Sequence, residues 1–476
     1  MQPNPRQKTP RLSFDQGTLV MNGWDAKSLE QHFPNVPWVF DSRVNCFRTD
    51  ALWYSAIELT LRSLALPIEN LVKRWQAVAW SRNQLPPLRA EQQRAVECFM
   101  GAGRRGIVVM PTGTGKTLVA LEIARQLKTA CLFVAPVRDL MYQWHRRLMD
   151  QLNYDAGVIG DSLFDVRAVS VTTYDSATIH AGQLGNRFGL IVFDECHHLP
   201  GRYYRDAALM SAAPLRLGLT ATLQRSDGRH ADLSTLIGPV VYELPLQEVA
   251  GQSLARYQVV RIPVKLSAQE QARYDALSRT IREYVYERRQ KDKDFSWSKM
   301  CRETNSDALA RAVLKAFHQK QAIENRAEEK LRVLEDLFRL HVGEPILVFV
   351  GSNSMARQVS LRFLVPCLLS HCGKKERHEI LSGFESGKYP VIVANQILDE
   401  GVDLPEAKVA IVIGGSSSTR QAKQRLGRIL RKSIFGTATL YEVVLDETNE
   451  NRRSRARRRS DAFRGHLESK QPKEAD

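Results

Sequence analysis

An apolar run, GIVVM (106–110), leads into PTGTGKT (111–117) and then into an amphipathic stretch from Leu118 to Leu127. Strand, glycine loop, helix is the order in which backbone amides and a helix N-terminus can close around phosphate. It commits the region to a layered α/β fold, whose ligands sit beyond the carboxyl ends of parallel strands. CLFVAP (131–136), RAVSVTT (167–173), GLIVFDE (189–195) and LRLGLTAT (215–222) read as further buried parallel strands of the same lobe. PILVFVG (345–351), YPVIVAN (389–395), KVAIVIGG (408–415) and TATLYEVV (437–444) repeat the plan later in the chain. Two α/β lobes are therefore expected. Between them, residues 266–322 are charged and nearly free of glycine, with Tyr274, Leu277, Ile281 and Tyr284 or Val285 at helical spacing. That segment is either a helical linker or a protrusion that grips a strand. Ahead of the lobes, RLSFDQGTLVMNG reads as a hairpin and ALWYSAIELTLRSLAL as a helix, a small α+β piece. The expected domains are 1–80, 81–250, 251–446 with the helical insertion inside it, and a basic tail at 447–476.

The chemistry lies at the strand ends. Gly113 and Gly115, with Thr114 between them, let amides approach β- and γ-phosphates, Lys116 brings a point charge, and Thr117 offers a hydroxyl to Mg²⁺. DECH follows the strand GLIVF, so Asp194 is expected to hold Mg²⁺ through water and Glu195 to orient and deprotonate the attacking water. His197 is expected to link this site to TAT, where Thr220 and Thr222 carry hydroxyls. Gln92, with Arg89, suits the reading of an adenine edge, because an amide both donates and accepts. In QRLGRILR (424–431), Arg428 and Arg431 are three apart, hence on one helix face, and can reach a γ-phosphate together. The expected ligands are ATP and Mg²⁺. A phosphate loop early and arginines late make a site split between two lobes.

Charge points to a polyanionic partner. Lys and Arg number 68 against 52 Asp and Glu, a formal net charge of +16. The tail from Arg452 carries nine basic and four acidic residues, so most of the excess lies elsewhere. Seven scattered cysteines with no CxxC favour neither a zinc site nor a disulfide framework and fit a reducing compartment. No apolar run reaches the ~18 residues that span a bilayer, and no signal core opens the chain. A cytoplasmic protein without membrane contact is expected.

These motifs together resemble the XPB-type branch of superfamily 2 DNA helicases. The resemblance is carried by LRAEQQ, PTGTGKT, DECH, TAT, RLGLTATLQRSDGRHADLSTLIGPVVYE (216–243), HCGKKERHEILSGFESGKYPVIVANQILDEGVDLPEA (371–407) and QRLGRILR. Met110 stands where the strict phosphate-loop pattern has glycine, a departure common in that superfamily. LSFDQGTLVMNG and WVFDSRVNCFR are similar to the family's small damage-recognition domain. The family implies two RecA-like lobes, a helical thumb, and ATP-driven 3'-to-5' movement on single-stranded or forked DNA in repair such as nucleotide excision. It also implies roles for Asp403 of DEGVDLP at ATP, for Gln424 in coupling, and for Arg138, Thr172, Thr173, Arg225 and Asp227 at DNA. The compact length is similar to prokaryotic members, of which archaeal ones work beside a nuclease. The family's Arg-Glu-Asp element reads Arg225-Ser226-Asp227 here, so strand separation is expected to be weak relative to movement. Two other readings stay open at this point: a helicase subunit of a defence or restriction assembly, and a nucleic-acid clamp that binds ATP without turning it over.

Overall fold

The computed structural model of the chain describes residues 10–65, 68–80, 84–223, 228–245, 248, 257–369, 372–395, 407–414 and 438–458. They fall into two compact units that divide at Leu246/Gln247.

The first unit opens with a small mixed sheet. Strands Arg11–Asp15 and Thr18–Asn22 form the expected hairpin, turning through Gln16 and Gly17, both at positive φ (46° and 91°). The helix Tyr54–Ser63 follows, and its Tyr54 and Ile57 join Leu12, Leu19, Met21 and Phe33 in one core. Ala212 of the neighbouring lobe belongs to that core. The approach depends on glycine: a Cβ at Gly185 would lie 2.0 Å from the Met210 carbonyl and 2.6 Å from the Phe14 ring. Across the same seam the Asn186 side chain donates to Val72 O at 2.9 Å.

The larger sheet of this unit runs in the order Val240–Glu243, Arg105–Val109, Leu215–Thr220, Leu190–Asp194, Cys131–Ala135, Val169–Thr173, Gly157–Gly160, Leu163–Phe164. Every neighbouring pair is parallel except the last. The strand before the phosphate loop thus lies beside the TAT strand, which lies beside the DECH strand. The register pairs Thr220 with Val109 and Asp194 with Leu219, so all three end at one edge. Short, glycine-containing stretches at 157–164 hid two strands from the sequence reading.

The second unit holds a parallel sheet in the order Tyr257–Val264, Ala438–Leu445, Val409–Ile413, Ile346–Val350, Val391–Asn395, Cys367–Leu368. The helical insertion lies between its first two strands in sequence. It comprises helices Ala268–Lys291, Trp297–Glu303 and Ala308–Arg326, the first opened by a Ser267/Glu270 capping box. Tyr284, Phe295, Met300, Ala310 and Val313 give it a core of its own. Tyr274, at its base, packs in the main core of the unit.

The stretch after Asp446 corrects the expectation of a basic tail starting at residue 447. Asn449–Arg458 is a helix, and Glu450 and Ser454 on it are fully buried. Lys330 Nζ meets Glu450 Oε2 at 2.7 Å, Ser454 Oγ donates to Glu442 Oε2 at 2.8 Å, and Arg453 pairs with Glu324. Partners remote in sequence turn a charge run into a docked element. Among the described residues no helix is long and apolar enough to cross a membrane.

Candidate functional site: a phosphate loop and paired carboxylates at one sheet edge

The loop between strand Arg105–Val109 and helix Lys116–Leu127 is held from below. Gly113 and Gly115 both sit at φ 85°, where a side chain is strained. At Gly115 a Cβ would also come 2.3 Å from Gln92 Nε2. The carbonyl of Thr114 accepts from Gln92 Nε2 at 2.8 Å and from an Arg89 guanidinium nitrogen at 2.5 Å. The Thr114 hydroxyl donates to Pro111 O at 2.7 Å. Lys116 Nζ donates to Met110 O at 3.1 Å, which keeps the ammonium against the loop at the start of its helix. Thr117 follows in the first helical turn, half-buried.

Gln92 also takes part in holding the loop. Its Oε1 accepts from Arg89 N at 2.9 Å while Nε2 holds Thr114 O, and the side chain is buried. One N–H and one lone pair remain on the amide. In this structure Gln92 and Arg89 brace the phosphate loop.

Asp194 ends its strand with both carboxylate oxygens engaged. Trp144 Nε1 donates to Oδ2 at 3.0 Å and Glu195 N donates to Oδ1 at 3.0 Å, while Tyr174 OH donates to the Asp194 main-chain carbonyl at 3.0 Å. Glu195 adopts a left-handed backbone, φ 47° and ψ 52°, a conformation that costs a non-glycine residue about 1 kcal/mol or more. Its side chain is 14% exposed, and Oε2 has no hydrogen-bond partner among the described residues. Thr112 Oγ1 and Thr222 Oγ1 are likewise buried without a hydrogen-bond partner. Buried oxygens left open beside two positive-φ glycines and a lysine suit a polar ligand with phosphate and a hard cation.

His197 is fully buried, with Nδ1 3.0 Å from Thr220 Oγ1 and 3.4 Å from Glu195 Oε2. Thr220 Oγ1 donates to Thr222 O at 2.8 Å and accepts from Thr222 N at 3.2 Å. A hydroxyl has one proton, so with that proton on Thr222 O the imidazole must donate from Nδ1. A chain of contacts thus runs from Glu195 through His197 to the TAT strand.

Burial, and after it the charge of Glu195, push the Asp194 carboxyl up to about 6, while Lys116 and the Trp144 bond pull the other way. A group raised in this way is a carboxylate above that pH and takes a proton below it. If Asp194 holds a cation, protons compete with it. The Mg²⁺ concentration that half-saturates turnover is expected to be flat above about pH 7 and to rise several-fold by about pH 5.5. Phosphate release measured over graded Mg²⁺ at each pH checks this, and a flat Mg²⁺ requirement across the range would exclude it.

Of the residues expected at DNA, Thr172 is corrected. It is 0% exposed and its hydroxyl donates to Ile159 O at 2.7 Å, so it has no surface for a phosphate. Thr173 is also buried and caps the helix Tyr174–Ile179, accepting from Ser176 N. Arg138 is exposed at the start of helix Arg138–Leu152 and pairs with Asp161 at 2.5 Å. Arg225, Asp227, Asp403, Gln424, Arg428 and Arg431 lie outside the described residues. Sequence reasoning missed Trp144 and Tyr174, whose donors meet at Asp194. A tryptophan on an amphipathic helix and a tyrosine after a strand carry no signal that separates them from ordinary core.

Three family models match this chain: the type III restriction enzyme res subunit over residues 85–225, the helicase conserved C-terminal domain over 329–433, and the xeroderma pigmentosum group B helicase damage recognition domain over 12–72. Among its relatives, the DNA 3'-5' translocase XPB2 of Sulfurisphaera tokodaii is 41% identical over 372 residues, 78% of this chain and 84% of that protein. The DNA 3'-5' helicases XPB of Kineococcus radiotolerans and Mycobacterium tuberculosis are 31% and 29% identical over 80% and 75% of this chain. This chain spans 63% and 60% of their lengths. The helicase domain of Hef from Pyrococcus furiosus, a solved structure, shares the fold over 78% of this chain and 98% of that one, with a TM-score of 0.51 at 17% identity. With a translocase this similar along most of both chains, and the family's own recognition domain matched at residues 12–72, the chain belongs to the XPB family of superfamily 2 DNA helicases.

Proposed function

We propose that the chain is an ATP-dependent DNA translocase and helicase of 3'-5' sense, acting in DNA repair in the cytoplasm of a prokaryotic cell. The observation that carries the catalytic part is the shared sheet edge, where the phosphate loop, the Asp194–Glu195 pair and the His197–Thr220 contact end side by side. In this reading Lys116 and the loop amides hold the β- and γ-phosphates, with the helix N-terminus behind them. Thr117 and Asp194 would hold Mg²⁺, which when bound offsets charge on the phosphate oxygens. Glu195 takes the proton of the attacking water, since its Oε2 is open and its backbone turns the carboxylate away from the strand. His197 passes the state of that carboxylate to Thr220 and Thr222. Arg428 and Arg431, with Asp403, would complete the ATP set from the later part of the chain, and Gln424 would serve coupling. Arg138, Arg225 and Asp227 would meet the DNA backbone, Arg138 by exchanging Asp161 for a phosphate. The relatives include repair-factor helicase/translocase subunits, which supports repair over a restriction role. A nuclease working on the same DNA is the partner that this reading favours.

The test is phosphate release by the full chain with no polynucleotide, single-stranded DNA, duplex, forked duplex and RNA, at one salt concentration, because phosphate contacts make binding salt-dependent. The proposal expects strong stimulation by DNA. A forked substrate followed in parallel should show little strand separation per ATP consumed, given Ser226 in place of a carboxylate. ATP bound without turnover on every polynucleotide would replace the motor by a clamp.

A further inference from the structure

Trp144 has a polar reason to be where it is. It is 3% exposed on helix Arg138–Leu152, and its ring stacks on Phe133 of the adjacent strand, centroids 4.9 Å apart at 29°. A phenylalanine would fill this core with no polar atom, whereas a buried indole N–H must find an acceptor. Its acceptor is Asp194 Oδ2 at 3.0 Å. The helix that carries it is fixed at its start, where Arg138 and Tyr142 both reach Asp161, at 2.5 and 3.0 Å. The donor is therefore held from two sides, by the stacked ring and by the anchored helix.

Two donors then define the Asp194 carboxylate. Trp144 takes a lone pair on Oδ2 and Glu195 N takes one on Oδ1, which fixes rotation about the terminal bond and leaves one further lone pair on each oxygen. We infer that Trp144 is a positioning residue for the metal carboxylate: its indole N–H holds Asp194 in the rotamer that presents the remaining lone pairs to the cation. This rests on the reading of Asp194 as the carboxylate that holds Mg²⁺. Donors of this kind behind a metal ligand commonly change metal affinity or activity by about tenfold or more when removed.

Trp144→Phe in the full chain keeps a buried ring and removes the N–H. The expected result is a rise of about tenfold in the Mg²⁺ concentration that half-saturates both ATP turnover and Mg²⁺-dependent binding of a fluorescent ADP analogue. At saturating Mg²⁺, kcat should return to within a few-fold of the parent, and binding of the analogue in EDTA should not change. Phe133→Leu loosens the stacking while leaving the N–H and should move the Mg²⁺ midpoint clearly less than Trp144→Phe does. Asp194→Asn separates the two levels of the argument. If that variant leaves the Mg²⁺ midpoint unmoved, the metal reading of Asp194 fails and this inference falls with it. If Asp194→Asn moves the midpoint and a folded Trp144→Phe does not, or if Phe133→Leu moves it equally, the positioning role alone is overturned. Should Trp144→Phe not fold, benzothienylalanine at position 144 keeps the ring shape, replaces N–H by sulfur, and is judged by the same outcomes.

Discussion

Glu195→Gln is expected to lower kcat for DNA-stimulated ATP hydrolysis by a factor of about a hundred to several thousand, while nucleotide binding stays within about twofold of the parent. The loss corresponds to roughly 3–5 kcal/mol of transition-state stabilisation. Glutamine has the same length and can keep a contact with His197, whose Nδ1 lies 3.4 Å from Glu195 Oε2. It cannot accept a proton from water. The left-handed backbone at residue 195 is imposed by the turn from strand Leu190–Asp194 into the short helix Cys196–His198, and it survives the substitution. Only the proton acceptor is lost. Single-turnover phosphate release beside titration of a fluorescent ATP analogue gives both numbers on one preparation. Near-normal turnover by the variant would remove Glu195 from the role of base and require another group to take the proton.

The same residues show how far a sequence carries such an argument. The phosphate loop and DECH were legible because each joins a chemical pattern to an apolar strand, and strands in a parallel sheet deliver their carboxyl ends to one edge. Thr172 was not. Its segment lies at the right strand, but the face on which a side chain emerges depends on the layers packed against the sheet, and Thr172 faces inward onto Ile159 O. Gln92 was read for its amide at a base edge, and the bracing of Thr114 O and Arg89 N by that same amide went unread, since those contacts are set by how a helix rests under a loop. Helix Asn449–Arg458 read as part of a basic tail because the residues that bury Glu450 and Ser454 are Lys330 and Glu442, far apart in sequence from each other and on separate elements. In each case the missing information is a long-range packing contact, which local pattern does not encode.

Arg216→Met is expected to destabilise the first unit by about 4 kcal/mol or more, the largest stability effect of any single substitution considered for this chain. Arg216 lies on the TAT strand, four residues before Thr220, and is 0% exposed. Among the described residues no carboxylate lies within ion-pair distance of it. Carbonyls surround it instead: Nε donates to Ala213 O at 3.1 Å, Nη1 to Ala208 O at 3.0 Å and Leu236 O at 2.7 Å, and Nη2 to Ser211 O at 2.5 Å. Ala208 belongs to helix Asp206–Leu209, and Leu236 ends helix Asp232–Leu236, whose last carbonyls have no partner within the helix. Burial, and after it the charge of Arg105, pull the guanidinium pKa well below its usual value. A charge kept in spite of that pull indicates that the carbonyls repay much of the desolvation. Methionine matches the apolar stem and leaves the carbonyls of Ala213, Ser211 and Leu236 open, while Ala208 O keeps Ser211 N at 3.3 Å; each stranded acceptor costs about 1–3 kcal/mol, less what local relaxation and entering water recover. Lysine would restore the charge with a single nitrogen, which cannot span four carbonyls in the directions a planar fork does, so Arg216→Lys should recover only part of the loss. Thermal unfolding of the full chain should show the methionine variant losing its first transition by roughly 10 °C or more, with the lysine variant between it and the parent. A shift under about 2 °C for methionine would mean that the segment 206–213 and the helix Asp232–Leu236 are held by packing alone, with the arginine a passenger in their core.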